Sequence, residues 1–360
     1  MCARTTTPEF GNFTTTEGAL FGPTRNPWDP SRSTGGSSGG TAALVAAGVV
    51  GAGSGGDGTG SIRIPASCCG LVGLKPSRAR VSLAPAGEGM FGLVSVHALT
   101  RTVRDSAVLL DLASRRVPGE PYGPLVEPPP SSLAALDAGP VGPLRIALAG
   151  PPPWPGEVDP VVAAEVERAA DALRAAGHLV EEHAPTVPDP GAIRHAIAVL
   201  HGAANLAGIR DAERSLGRAV TADDVEAATW SMVQLGRTLG PLDVLDAVEV
   251  LREQGRAFGA SLGGHDAVLC PSLNATAPLL GAMLDPHEDP DAFFGAEFAW
   301  TGWTAMANVT GWAAISLPTG MVGGLPAGVQ LMAPGEDVLL ARGAQLEVAL
   351  PWADRHPATA

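Results

Sequence analysis

Residues 33–75 constrain this chain most, because two clusters rich in serine and glycine flank a short apolar run. The clusters are Ser-Thr-Gly-Gly-Ser-Ser-Gly-Gly (33–40) and Gly-Ser-Gly-Gly-Asp-Gly-Thr-Gly-Ser (53–61). Glycine lets the backbone approach a ligand closely, and successive backbone N–H groups can hold an anion or an oxyanion. Serine adds a hydroxyl that can attack a carbonyl group. The clusters therefore predict first an acyl-transfer site, second a phosphate cradle and third a flexible linker.

A dinucleotide site is a weak alternative for the second cluster. Gly51-x-Gly53-x-x-Gly56 matches the glycine pattern, but that pattern needs a helix at its third glycine and an acidic residue about 20 positions later. The sequence continues instead with Asp-Gly-Thr-Gly and Ile-Pro, and no Gly-Lys-Ser/Thr of a phosphate loop occurs.

An α/β-hydrolase is a second weak alternative, because Gly36-Ser37-Ser38-Gly39-Gly40 formally satisfies Gly-x-Ser-x-Gly. In an α/β-hydrolase the nucleophilic serine follows a central strand. Pro27 and Pro30 exclude such a strand before Gly36 in this chain. The histidines that could act as its base lie in polar or helical segments, so we expect them on solvated faces. They are His178, His183, His195, His201, His265 and His287.

Composition supports a folded chain with a large core, since 45% of the 360 residues are hydrophobic and only 17% are charged. The net charge of −14 argues against nucleic acid and anionic membranes as partners. Four cysteines give neither a disulfide framework nor a paired Cys-x-x-Cys metal pattern, which predicts buried, reduced thiols in a cytoplasmic protein.

Strands alternate with helices along the chain, which predicts an α/β fold with a layered, mixed central sheet covered by helices on both faces. The predicted strands are a buried one within 48–53, 144–149, 178–183, 267–270, 314–318 and 328–332. The predicted helices are 41–47, 98–112, 161–176 with Asp159 as its N-cap, most of 192–262 with a break near 236–241, 293–309 and 338–350. Prolines make 118–143 a loop or crossover.

The serine and glycine clusters also resemble the amidase signature family. Gly-Gly-Ser-Ser-Gly-Gly at 35–40, Asp57-Gly-Thr-Gly-Ser-Ile-Arg-Ile-Pro and Cys69-Gly-Leu-Val-Gly-Leu-Lys-Pro match its motifs at the right spacing. Thr59 departs from the glycine of many members, and Trp312-Ala313 departs from the family's usual residue-plus-Pro after Thr-Gly. The resemblance covers nearly the whole chain. It implies one amidase domain over 1–360, with its core at 33–112 and a helical substrate side at 192–262.

The resemblance implies a role for each matching residue. Ser61 is expected to be the nucleophile that becomes an acyl-serine. Ser37 is expected to be the bridging serine and to follow a cis peptide bond from Gly36. The backbone N–H groups of Gly58, Thr59, Gly60 and Ser61 are the expected oxyanion hole. A β-branched Thr59 would be strained if its φ were positive. Asp57 and Arg63 are expected to fix this loop, with an ordinary ion pair as the alternative.

The family's base is a lysine, and this sequence holds one lysine only, Lys75, at a position that matches a different family residue. The sequence therefore predicts a fragment that lacks the N-terminal portion of the fold, a reading frame begun too late or a degenerate member, and in each case an impaired enzyme.

The expected reaction is hydrolysis of a linear or cyclic, non-peptide amide, because 61–78 is similar to the branch that contains 6-aminohexanoate-cyclic-dimer hydrolases. The alternatives are a glutaminase subunit of a tRNA-dependent amidotransferase and a non-catalytic pseudoenzyme. No cofactor and no metal are expected, and a homodimer is compatible with the sequence. Residues 8–16 are either a plain loop or part of the substrate mouth, where Asn12 is the polar candidate.

Overall fold

The computed structural model of the chain describes residues 2–115, 117–120, 122–139, 142–283 and 289–358. His287, one of the histidines expected on a solvated face, lies outside these residues. No helix within these ranges has both the length and the apolar character needed to cross a membrane.

A mixed sheet of eight strands organises the described part of the chain, and a separate two-stranded ribbon precedes it. The strands are β1 (Arg25–Asn26), β2 (Asp29–Ser33), β3 (Ala52–Asp57), β4 (Val72–Lys75), β5 (Ser95–Thr100), β6 (Arg145–Leu148), β7 (Leu179–Glu182), β8 (Ala267–Pro271), β9 (Ala313–Val322) and β10 (Leu325–Ala333). The sheet runs β3-β5-β4-β9-β10-β8-β6-β7. The pairs β8–β6 and β6–β7 are parallel, and the pairs on the other side of β8 are antiparallel.

Helices cover both faces of this sheet. They are α1 (Gly39–Ala46), α2 (Arg63–Cys69), α3 (Gly89–Gly92), α4 (Val103–Ala113), α5 (Ser132–Asp137), α6 (Pro160–Ala175), α7 (Pro190–Leu216), α8 (Ala227–Thr238), α9 (Pro241–Ser261), α10 (Pro290–Thr301), α11 (Thr304–Thr310) and α12 (Glu336–Ala349). The predicted α/β class with a mixed, two-sided sheet is confirmed.

Alternate residues of the central strands enter two different cores, because successive side chains of a strand point to opposite faces. Ala147 and Val268 pack with α7, α9, α10 and α11. Ile146 and Leu269, their neighbours in sequence, pack with α4, α6 and α12. A sheet buried on both faces explains why these strands consist of continuous apolar residues.

The unit β6-α6-β7 was predicted from local signals and is confirmed. The side chain of Asp159 accepts a hydrogen bond from Val161 N, and Pro160 occupies the first helical position. Gly177, which ends the helix, has φ +94°. The two strands then pair in parallel, as a crossover through a helix requires.

The predicted buried strand around Val49 is wrong. Val49 is 66% exposed in a turn, and the strand is β3, built from the glycine-rich residues 52–57 that were expected to be mostly loop. Close packing explains the difference: a Cβ added to Gly53 would lie 2.5 Å from Thr41 Cγ2 of α1. Glycine is present here because a helix packs directly against the strand, and this tertiary contact overrides its low strand propensity.

Four further element boundaries differ from the prediction. Residues 98–100 belong to β5, so the helix expected from 98 begins only at Val103, where Thr102 caps it. The proline-rich stretch 118–143 contains α5, which Ser131 caps. The region 192–262 has a second interruption at 217–226, and Gly302, with φ +60°, divides the helix expected over 293–309. The described cysteines are free, and Cys2 is exposed rather than buried.

Candidate active site

Both serine clusters and the two distant helices α7 and α10 line one cavity of about 270 Å³. This volume is near the lower end of the range for small-molecule sites, about 300–1,000 Å³. The residues around it are Phe10, Gly11, Asn12, Phe13, Thr14, Ser37, Gly56, Asp57, Gly58, Thr59, Ser61, Met90, Val94, His201, Ala204, Asn205 and Glu297. We call this space the serine cavity.

Ser37 lies between the ribbon strand β2 and the first turn of α1. The peptide bond from Gly36 to Ser37 is cis, as the resemblance implied. The backbone N–H of Ser38 donates to the carbonyl oxygen of Ser61 at 3.2 Å. A Cβ placed on Gly11 would lie 3.5 Å from Ser37 Oγ. The two serine clusters are thus joined to each other, and the segment at Gly11 passes directly over Ser37.

Ser61 ends a tight loop between β3 and α2. Gly58, Thr59 and Ser61 line the cavity, whereas Gly60 lies behind them with φ +142°. A Cβ on Gly60 would stand 2.7 Å from Ile64 Cδ1, so only glycine fits this turn. Thr59 is not among the described non-glycine residues with positive φ, so the strain considered for it does not occur.

Asp57 and Arg63 form a buried ion pair beneath this loop, and neither side chain is exposed. Arg63 donates from Nε and Nη2 to the two carboxylate oxygens at 2.9 and 2.8 Å. Ile62 N donates to the same carboxylate at 3.2 Å. Burial alone would raise the pKa of Asp57, but the charge and hydrogen bonds of Arg63 outweigh it and lower that pKa.

Two residues far along the chain complete this support. Arg63 also donates to Gln330 Oε1 of β10 at 2.6 Å and to Asn308 Oδ1 of α11 at 2.7 Å. Asn308 Nδ2 donates in turn to the backbone oxygen of Asp57 at 2.9 Å. Neither residue was assigned a role from the sequence, and only the fold brings them to Arg63.

Asn12 lies in the cavity wall and is 7% exposed. Its Nδ2 donates to Asn205 Oδ1 at 2.8 Å, and Asn205 Nδ2 donates back to Asn12 Oδ1 at 3.0 Å. This reciprocal pair joins the N-terminal segment to α7. Residues 10–14 of the segment 8–16 thus contribute to the cavity wall.

The expectation that the candidate histidines are solvated is wrong for His201 and His178, which are 9% and 6% exposed. His201 lines the cavity from α7, its ring lies 4.8 Å from that of Phe294, and no described residue accepts from or donates to its Nε2. Burial lowers the pKa of His201 to about 4, which keeps the ring neutral. The apolar run Ala-Ile-Ala-Val-Leu before it was the signal for burial.

Glu297 of α10 also lines the cavity and was not singled out from the sequence. Its Oε1 accepts hydrogen bonds from Thr14 N and Thr14 Oγ1, both at 2.9 Å. Burial raises the pKa of Glu297 to about 8, although the hydrogen bonds from Thr14 act in the opposite direction. A lone glutamate among Phe293, Phe294 and Phe298 was the signal that sequence reasoning passed over.

Two non-glycine residues of the cavity wall adopt left-handed backbone conformations. Phe10 has φ +49° and Met90 has φ +48°. Such conformations cost about 1–3 kcal/mol each and often mark functional sites. Here they lie in the two segments that flank the serine clusters, one before Ser37 and one after Ser61 in the chain.

Lys75 does not line the cavity. It ends β4 with 1% of its surface exposed, and its Nζ donates to the carbonyl oxygen of Pro76 at 2.8 Å. Burial, reinforced by the nearby positive charge of Arg63, lowers the pKa of Lys75 to about 7.

The described residues contain no group of three or more histidine, cysteine, aspartate or glutamate side chains that could hold a metal ion. What the cavity offers is two serine hydroxyls, a loop of backbone N–H groups and a polar wall opposite them. These groups suit nucleophilic attack on a carbonyl carbon and stabilisation of the resulting oxyanion.

Comparison with known proteins identifies the family of the chain. The family model described as Amidase matches residues 1–339. The 6-aminohexanoate-cyclic-dimer hydrolase of Paenarthrobacter ureafaciens is 36% identical over 383 residues, which cover 99% of this chain and 75% of that protein. The putative amidase AmiA2 of Mycobacterium tuberculosis (strain ATCC 25618 / H37Rv) is 37% identical and covers 98% and 71%.

Solved structures agree with the sequence relatives. A 6-aminohexanoate cyclic dimer hydrolase complexed with substrate superposes with a TM-score of 0.93 at 35% identity, covering 99% of this chain and 76% of that one. A bacterial aryl acylamidase of the amidase signature family gives a TM-score of 0.81 at 26% identity, covering 96% and 72%. The chain belongs to the amidase family, enzymes that hydrolyse carbon–nitrogen bonds of amides.

Proposed function

We propose that the chain hydrolyses a small carboxylic amide through an acyl-enzyme on Ser61. Ser61 Oγ forms a bond to the carbonyl carbon, while its proton passes to Ser37 Oγ and the proton of Ser37 passes to water, a weak base that stands in for the absent lysine. The N–H groups of residues 58–61 hold the oxyanion. The C–N bond then breaks as the leaving nitrogen takes up a proton, and water hydrolyses the acyl-serine. Asp57 and Arg63 keep the loop in place.

One observation supports this proposal: Ser37, Ser61 and residues 58–59 line the same cavity. The opposite walls of that cavity come from α7 and α10. A preorganised oxyanion donor is worth about 2.7–4 kcal/mol in the transition state. The fixed loop beneath Ser61 meets this requirement because Asp57 accepts hydrogen bonds from Ile62 N, Arg63 and Asn308.

We further propose that the 360-residue chain acts slowly. The one lysine in the sequence, Lys75, is held away from the cavity, so no lysine within these residues can take the proton from Ser37. Without a base, the oxyanion donors and binding alone sustain a residual rate, which is ~10³–10⁴ above the reaction in water in serine proteases that lack a member of the Ser-His-Asp triad.

The proposed substrate is a linear or cyclic, non-peptide amide. The similarity to 6-aminohexanoate-cyclic-dimer hydrolases favours this class, and the small volume of the serine cavity favours it over a polypeptide. A glutaminase is the weaker alternative. Its glutamine substrate carries a free carboxylate, which calls for a cationic partner, and neither Lys nor Arg is among the cavity-lining residues named above.

A fluorophosphonate probe tests the function, because it reacts with an activated serine hydroxyl without requiring the correct amide. We expect covalent labelling at Ser61, loss of labelling in Ser61→Ala and at least a tenfold slower reaction in Ser37→Ala. Ser54→Ala is the matched control, since Ser54 is exposed on β3 and does not line the cavity. A folded chain that labels equally with and without Ser61 contradicts the proposal.

Chemical rescue tests the missing base separately. If the chain is slow because a proton acceptor is absent, added methylamine accelerates labelling of the unmutated chain but not of Ser61→Ala. A rate that is already fast and does not respond to the amine contradicts the proposed impairment. No labelling under any condition by a folded chain favours the pseudoenzyme, and ammonia release from glutamine favours the glutaminase.

A further inference from the structure

Two titratable side chains face the serine cavity without belonging to the serine clusters. Glu297 comes from α10 and His201 from α7, and they are 5% and 9% exposed. They lie on walls that reach the cavity only through the tertiary fold. The reaction proposed for Ser61 uses neither of them.

Glu297 is a buried acid with one oxygen occupied. Oε1 accepts both hydrogen bonds from Thr14, and among the described residues no hydrogen bond or ion pair involves Oε2. Asp57, the other acid of this cavity, is by contrast fully paired with Arg63. A buried carboxylate without a cation is costly unless it is protonated or binds a positive group. Burial raises the pKa of Glu297 to about 8, in keeping with that cost.

The surroundings supply no competing positive charge. The cavity-lining residues include neither Lys nor Arg, and Arg63 is engaged with Asp57 behind the loop. His201 is neutral because burial lowers its pKa to about 4. A carboxylate on the substrate would therefore lack a partner and face Glu297, whereas an ammonium group would gain one.

Building on the proposed amide hydrolysis, we propose that Glu297 releases its carboxyl proton to solvent and binds a protonated amino group carried by the substrate, with the free Oε2 as the acceptor. The preferred substrates are then small amides that bear a free primary amine remote from the scissile bond. Their uncharged analogues bind more weakly, and amides that bear a carboxylate bind worst. His201 contributes an uncharged polar surface on the neighbouring wall.

Calorimetric binding to the Ser61→Ala protein tests this without turnover. The probes are 6-aminohexanamide, heptanamide and the monoamide of adipic acid, which have similar length and end in an ammonium, a methyl and a carboxylate group. At pH 7.5 we expect 6-aminohexanamide to bind about 10- to 100-fold more tightly than heptanamide, the range for a charge-assisted hydrogen bond. The monoamide should bind most weakly.

Adding Glu297→Gln should bring 6-aminohexanamide to within about threefold of heptanamide. Glu347→Gln is the matched control. Glu347 is partly buried and, like Glu297, accepts a backbone hydrogen bond, but it lies on α12 outside the cavity. Equal binding of amine and methyl ligands to a folded protein, no binding of the amine, or a preference that survives Glu297→Gln overturns the proposal. Failure of Ser61 to react with the fluorophosphonate would instead overturn the catalytic role and leave these binding results intact.

Discussion

Arg63 donates to both carboxylate oxygens of Asp57, at 2.9 and 2.8 Å, where neither side chain is exposed to solvent. The pair joins the end of β3 to the first turn of α2, the two elements between which the Ser61 loop is suspended. Asn308 and Gln330 accept further hydrogen bonds from the guanidinium group. The position of the Ser61 loop therefore depends on a buried polar network and not on apolar packing alone.

Removing one partner of this pair should destabilise the fold. We expect Arg63→Met to lower the free energy of unfolding by about 3–5 kcal/mol, because Asp57 would remain as a buried, uncompensated charge. Urea denaturation measures this. Arg252→Met is the control: its partner is the exposed Glu249, so the change should stay below about 1 kcal/mol. An Arg63→Met effect as small as the control's contradicts the prediction.

Replacing Gly60 should damage the loop itself. The φ of +142° and the close Ile64 side chain leave no room for a methyl group, so we expect Gly60→Ala to cost about 1–3 kcal/mol of stability. Displaced N–H groups should slow fluorophosphonate labelling of Ser61 by about 10²-fold, the effect of losing one oxyanion donor. Gly51→Ala meets open space and should change neither quantity. Unchanged labelling of Gly60→Ala would refute the role of the loop.

Glu297 should make the fold less stable as pH rises. Its pKa is raised from 4.5 to about 8 in the folded state, so between these values the folded chain holds a proton that the unfolded chain has lost. The cost is absent below about pH 4.5, grows by at most about 1.4 kcal/mol per pH unit and is complete above about pH 8. The facing groups are neutral His201 and the paired Asp57.

Glu297→Gln should remove this part of the pH dependence, because the amide cannot ionise and can still accept the hydrogen bonds from Thr14. The measurement is urea denaturation at pH 5, 7 and 8.5. We expect the variant to match the unmutated chain at pH 5 and to exceed it at pH 8.5. Parallel stability curves for the two proteins would show that Glu297 is not held in its neutral form.

Lys75 should make the fold more stable as pH rises, which is the opposite of the effect of Glu297. Its pKa falls from 10.5 to about 7, so between these values the unfolded chain carries a proton that the folded chain lacks, and stability rises with pH. The cost of burying the charge is complete below about pH 7. Lys75→Met should therefore be more stable than the unmutated chain at pH 6, with the gain shrinking toward pH 10. A constant difference across this range contradicts the shifted pKa.

The sequence predicted the part of the site formed by the serine clusters and missed the walls formed by α7 and α10, for a physical reason. Ser37, Thr59 and Ser61 belong to two clusters, 33–40 and 53–61, which are close in sequence and separated only by the short stretch 41–52. Glu297 and His201 reach the cavity through the packing of α7 and α10, which no local spacing specifies. Only their apolar neighbours in sequence indicated burial, and burial alone does not say which cavity a side chain faces.

The fold, like the site, was predicted only in part from the sequence. Strands with continuous apolar residues and a capped helix such as that after Asp159 were recognised, because local propensity and tertiary burial agree there. β3 was not, because glycines form it where α1 needs close approach. Gly302 was overlooked as a helix break, since its neighbours on both sides are mostly apolar and continue the helical pattern.

The hydrogen bonds from Thr14 to Glu297 join residues 283 positions apart. At the usual synthesis rate of about 5–20 residues per second, Thr14 is added to the chain roughly 15–60 s before Glu297. For that interval the serine loops have no opposite wall, and their polar groups face water or a chaperone. The serine cavity thus cannot be completed before α10, the helix that carries Glu297, has been synthesised.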